Sequence, residues 1–191
     1  MPTINATLGV GTGASGTTDV SYQLRNSTGQ TSGSAVTLQN YGADTTVAYI
    51  SIYRFVSLGL PAGATITSAT LNLYAPTSGR LVNNADIFCE KVQNPSVNPA
   101  SASVTGRTLT TASTSYTSTM TVSTYNTTPS FATALQEVVN INTSTAINTL
   151  HVLIRSKTGV GFGQCEYAGH NNGGTGTSPS NGLTGGVTTN E

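Results

Sequence analysis

Between residues 46 and 56, apolar side chains occupy both alternating registers of the chain. Ile50, Ile52 and Val56 fall on one, with Arg54, and Tyr49, Tyr53 and Phe55 fall on the other, with Ser51. A strand half-exposed to water shows one apolar register; two predict a strand inside a sheet with a neighbouring layer over its second side. Leu150–Ser156 repeats the pattern, apolar at Leu150, Val152 and Ile154 and at Leu153 opposite. Elsewhere the period is simpler. From residue 69 onward, Ala69, Leu71, Leu73 and Ala75 alternate with Thr70, Asn72 and Tyr74, after an apolar Ile66. Within Ala85–Val92, Ile87 and Cys89 face away from Phe88. Both segments predict strands with one side turned to a core.

Turn residues punctuate these runs. Pro61-Ala62-Gly63-Ala64 combines a fixed proline dihedral with a glycine free to take positive φ. Val20–Leu24, the polar Asn26-Ser27-Thr28-Gly29 and Ala35–Leu38 predict a hairpin, and Gly159–Tyr167 is expected to pair as a hairpin with Leu150–Ser156. Weak alternation at Tyr116, Met120, Val122 and Tyr125 predicts one or two short strands in an otherwise polar stretch. A single helix is expected over Thr128–Asn140. Thr128 is placed to cap it, Pro129 to open it, and Phe131, Leu135, Val138 and Val139 recur at helical spacing. Many short strands and one short helix predict an all-β, two-layer antiparallel β-sandwich of jelly-roll type. The expected organisation is a flexible arm over 1–20, with Gly9, Gly11, Gly13 and Gly16, a sandwich over 21–182, and a tail over 183–191. The last stretch is expected as an edge strand or an extended arm.

Composition sharpens this. Seven acidic and seven basic residues make 7% of 191, against about 25% in an average soluble domain. The missing charge is replaced by Thr, Ser, Asn and Gly, which suit pleated strands and turns. A neutral hydroxyl surface carries little electrostatic repulsion to keep copies apart. Seven dispersed Lys and Arg form no basic stripe, which excludes a nucleic-acid partner. No apolar run approaches the roughly 18 residues of a transmembrane helix, so no membrane role is expected. The start, Met1-Pro2-Thr3-Ile4, lacks a secretory signal pattern. Cys89 and Cys165 are too few for a disulfide framework, and two buried free thiols are expected rather than a bridge.

The stretch Tyr53-Arg54-Phe55, a spacer, then Leu60-Pro61-Ala62-Gly63-Ala64-Thr65-Ile66-Thr67-Ser68-Ala69-Thr70-Leu71-Asn72-Leu73-Tyr74 resembles the signature of the DNRLRE-type β-sandwich family. The resemblance covers roughly residues 44–182 and implies a carbohydrate-binding-like jelly roll of this size. Similar modules occur in bacterial surface proteins and tailed-phage virion proteins. The chain departs from the family near its end, where Pro179 is followed only by Leu183 and Val187 in place of a closing strand. The signature supports a fold and leaves function to be argued from sites.

Few residues suggest chemistry. Asp86 and Glu90 share a strand face, but are expected as solvated or Arg-paired residues rather than the carboxylate couple of a glycosidase. Glu166, His170 and Asp44 lack metal-ligand spacing. No serine has a nucleophile elbow or an evident His–acid partner, so no enzyme is expected and no cofactor or metal is implied. The chain has no Trp to stack on a sugar ring, and Tyr41 with Asp44, in the loop before a main strand, is the best candidate ligand site. Asn-x-Ser/Thr triplets such as Asn26-Ser27-Thr28 are expected by chance in so Thr- and Asn-rich a chain.

The expectation from sequence is a non-enzymatic structural protein of a tailed-phage virion, most concretely a decoration or cement subunit on the capsid surface. Its expected partners are the major capsid protein and copies of itself, with a trimer suiting a capsid lattice. Tail or fibre placement falls in the same class. The alternative is a carbohydrate-binding module or adhesin domain with glycans as partners.

Overall fold

The computed structural model describes residues 3–7, 21–25, 31–32, 37–41, 49–55, 58–75, 82–95, 107–157, 164–168 and 182–188. The chain is an all-β antiparallel sandwich with one short helix. Among the described residues, twelve strands run in the order β1 (Thr3–Thr7), β2 (Ser21–Arg25), β3 (Thr31–Ser32), β4 (Thr37–Tyr41), β5 (Tyr49–Phe55), β6 (Thr65–Tyr74), β7 (Val82–Cys89), β8 (Thr114–Thr119), β9 (Tyr125–Thr127), β10 (Leu150–Ser156), β11 (Gln164–Ala168) and β12 (Gly182–Thr188). Helix α1 (Ala132–Val139) lies between β9 and β10. Four strands form one sheet in the order β1-β12-β6-β9, six form the other in the order β3-β2-β5-β10-β7-β8, and β11-β4 make a ribbon. Setting aside β2, β3 and the ribbon leaves eight strands. Numbered afresh along the chain, they lie as 1-8-3-6 and 2-7-4-5, the interlocked Greek keys of a jelly roll.

The two-sided apolar runs occupy the interior positions their pattern demands. β10 sits between β5 and β7, with Val152 opposite Tyr53 on one side and Cys89 on the other. Tyr53, Phe55, Val152 and Ile154 face the main core with Leu71, Leu73 and Ile87. On the second face of the same sheet, Ile50, Ile52, Phe88 and Leu153 form a separate buried cluster against Leu109. Fully burying each such side chain stabilises by roughly 1.5–3 kcal/mol. In β6, Ile66 and Ala69 both turn inward although three apart. Ser68 pairs Gly186 while Ile66 pairs the next residue, Val187, so Thr67 is the extra residue of a β-bulge that resets the alternation.

The chain ends differ from the sequence expectation. Residues Thr3–Thr7, inside the stretch expected as a loose arm, are paired with β12. β12, expected at an edge or in a tail, lies between β1 and β6 in the sheet interior. Gly182-Leu183-Thr184-Gly185-Gly186-Val187 offers little side-chain pattern, and its place is set by backbone ladders on both sides. Both expected hairpins are also replaced. β2 pairs with β3 across residues 26–30, while Thr37–Tyr41 pairs with β11; β11 in turn leaves β10 for β4. The ribbon touches strands of both sheets, β4 meeting β2, β5, β7 and β10 and β11 meeting β6 and β7.

The helix starts three residues later than expected, at Ala132 in place of Pro129. Thr128 does not cap it: its Oγ1 accepts the Leu71 N–H at 2.9 Å, and its own N–H donates to the Leu71 carbonyl. Ser130 Oγ accepts from Ala69 N, the Phe131 N–H donates to the Ala69 carbonyl, and the Gln136 amide takes Ile66 N–H at 2.7 Å and donates to Ala64 O. β9 pairs only Asn72–Tyr74, so these groups replace a neighbouring strand along the remaining edge of β6. An exposed edge is a template for association; this one is closed from within. The expected apolar face holds, with Leu135, Val138 and Val139 buried.

Candidate functional site

The most chemically loaded cluster lies where β7 and β10 run out beside the return of the long excursion after residue 90. The excursion is zipped at its base: Lys91 N donates to Thr108 O at 2.8 Å, Thr110 N to Cys89 O, and Glu90 bridges Leu109. Glu90 Oε2 receives Arg107 Nη1 at 2.5 Å and His151 Nδ1 at 2.6 Å. The carboxylate contact places the imidazole proton on Nδ1. Arg107 Nη1, 3.4 Å from the same nitrogen, therefore faces another donor, and Glu90 holds the two together. Burial pushes the Glu90 carboxyl up, but the His151 hydrogen bond, the Arg107 and His151 charges and the Arg107 hydrogen bond together hold it below its ordinary value.

His151 Nε2 and Arg107 Nε are buried without hydrogen-bond partners. A carboxylate–imidazole pair with an open Nε2 is half of an acid–base relay, yet the His151 side chain is only 1% exposed. Ser51, whose buried Oγ is likewise unpartnered, belongs to the opposite register from Arg54, the cross-strand partner of His151. Ser51 therefore lies on the other face of the strand from the ring. What this arrangement does is tie the excursion to the middle of the large sheet.

Further polar ties knit the same loops. Glu137 Oε1 and Oε2 accept the backbone N–H groups of Ala112 and Thr111 at 2.6 and 2.9 Å. These two bonds, with Lys91 at 3.4 Å, lower the Glu137 carboxyl below its usual range. The Gln93 amide nitrogen lies 2.9–3.1 Å from the carbonyls of Val138, Val139 and Asn142, serving the open end of α1. Asn94, at φ 50°, accepts from Asn148 N and Thr149 N and donates to Ala146 O.

Asp86 pairs with Lys157 at 3.2 Å while Glu90 holds Arg107 and His151. Each carboxylate is thus taken up by its own basic partners rather than facing the other as a glycosidase couple does. Tyr41 ends β4 opposite Gln164, and Asp44, the other residue of the expected ligand site, lies outside the described residues. Glu166 pairs with Gln39 on the ribbon, and His170 also lies outside the described residues. Among the described residues no three His, Cys, Asp or Glu side chains converge as a metal site requires. Cys89 is a buried free thiol, and Cys165 is placed on β11 through its backbone alone. No helix among the described residues is long and apolar enough to cross a membrane.

The sequence left Glu90 as either solvated or Arg-paired, of which the second holds, and His151 was missed. The three residues are 17, 44 and 61 positions apart, so no local spacing links them. The available signal was a histidine within the apolar run Leu150–Ile154. Also missed was the pair Tyr74–Tyr125, stacked edge to face at 5.4 Å with Tyr125 48% exposed. Asn126 makes three bonds to Thr121 and Thr124, fixing the turn before it. The chain matches no family model and no curated protein.

Proposed function

We propose that this protein is a non-enzymatic structural component of a tailed-phage virion, a decoration or cement subunit that binds the major capsid protein and its own copies on the capsid surface. The observation that carries the reading is an almost chargeless jelly roll whose outer strands are neutral. β1 (Thr-Ile-Asn-Ala-Thr) and β8 (Thr-Ser-Tyr-Thr-Ser-Thr) end the two sheets without one charged residue or proline. Natural proteins commonly guard such edges with charge or proline to prevent association. The sequence resemblance to modules of phage virion proteins supports the same class. Mass spectrometry of purified virions of the phage that encodes the chain is expected to find it in high copy, and its absence refutes the reading.

A carbohydrate-binding role is the second reading, and the exposed Tyr125 on its fixed turn favours it. A tyrosine face edged by Asn72 and Thr127, themselves bonded at 2.7 Å, is a neutral platform of the type that stacks on a sugar ring. Binding on a glycan array that is lost in Tyr125→Ala would move the assignment to this reading.

A further inference from the structure

β1 is held by one ladder. It pairs with β12 from Thr3↔Gly186 to Thr7↔Gly182, and among the described elements β12 is the only one it packs against extensively. The strand that follows it, β2, lies in the other sheet. Thirteen residues, 8–20, join the two. Fully extended they reach about 45 Å, a span that admits a neighbouring copy as well as the chain's own sheet. Removing β1 would bare Gly182–Gly186 of β12, a strand that carries no charge or proline to reject a foreign one.

From this juxtaposition we infer that β1 is an exchangeable strand, closing the β12 edge of a neighbouring copy of this chain in the assembled state. The inference rests on the self-assembly reading above and names the element that would link the copies. Exchange breaks one ladder and rebuilds the same ladder, so it needs no new contact. In dilute solution the tether presents β1 to its own β12 at an effective concentration on the order of millimolar. Copies packed side by side present it to a neighbour at a similar level, and the long tether then permits either closure. The occupant is a second copy because β12 already fits this strand in register.

Chains carrying only Ala6→Cys and chains carrying only Leu183→Cys, opposite each other in the ladder, test this. They are mixed, unfolded, refolded together at a concentration giving oligomers, and mildly oxidised. Antiparallel partners lie within disulfide reach. At least tenfold more covalent dimer in the mixture than in either variant alone is expected. A second pair, Asn5→Cys with Thr184→Cys, reads the same ladder independently should one variant fail to fold. If the mixtures give no excess dimer in an oligomeric sample, while a chain bearing both cysteines closes on itself, exchange is overturned and the assembly reading stands. A sample that sediments as a monomer up to millimolar concentration overturns both.

Discussion

Replacing Glu90 by Ala leaves Arg107 and His151 facing each other without the carboxylate that joins them. Their side chains are 10% and 1% exposed, so water replaces little of what is lost. Removing one partner of a buried ion pair costs about 3–5 kcal/mol. Arg107 lies nearer the surface than His151 and relaxes outward, which points to about 3 kcal/mol. With a urea dependence of about 2.5 kcal/mol per molar, the unfolding midpoint falls by about 1.2 M at pH 7. Glu90→Gln keeps an oxygen acceptor but no charge, and costs about half as much. Because the Glu90 carboxyl is lowered in the folded protein, its contribution is present above the unfolded-state value. It is lost as pH falls through the folded one, so the gap between wild type and Glu90→Ala closes below the ordinary 4.5. In a double-mutant cycle, Arg107→Ala adds little in the Glu90→Ala background. Urea titrations monitored by circular dichroism at pH 7, 5 and 3 measure all of this. A midpoint shift under about 0.3 M at pH 7, or a gap that stays constant into acid, refutes the reasoning.

Three further outcomes are expected. Gln136→Ala opens the β6 edge at Ile66 N–H and Ala64 O, lowering stability by about 1–3 kcal/mol and raising light scattering on storage; unchanged scattering speaks against an edge-closing role. Gly63→Ala forces a side chain onto φ +65° with its Cβ 3.2 Å from the Thr143 carbonyl, so thermal unfolding should come several degrees earlier. The Cys89 thiol, pushed up by burial and by the Glu137 charge, should resist thiol reagents at pH 8 in the native protein and react once the chain is unfolded in urea.

Strands whose side chains carry their own instruction were legible in the sequence. Ile50, Ile52 and Leu153 against Tyr53 and Val152 mark β5 and β10 as interior and covered on both faces, which is where they lie. Phe131, Leu135 and Val138 likewise mark the buried face of α1. Partners were harder to read. Pairing depends on which backbone lies alongside, and proximity in sequence misled for β4 and β11, whose ladder joins Thr37 to Ala168. β12 is written in glycine and threonine, so nothing in its side chains announces a central strand. The start of α1 was misplaced because Thr128 suits two tasks, capping a helix or closing a sheet edge, and only tertiary context chooses between them. The Glu90–Arg107–His151 cluster was hidden for the same reason: three segments far apart in sequence meet at one end of the sheet.

The seat of β10 between β5 and β7 has a consequence for how the molecule comes into being. Its flanking strands are synthesised first, and 60 residues, 90–149, separate the end of β7 from the start of β10. At translation speeds of about 5–20 residues per second, the nascent chain waits roughly 3–12 seconds with the gap at the centre of its larger sheet unfilled. Folding on the ribosome is therefore held open until late in synthesis, and a helper that shields bare strands has its greatest effect in that interval.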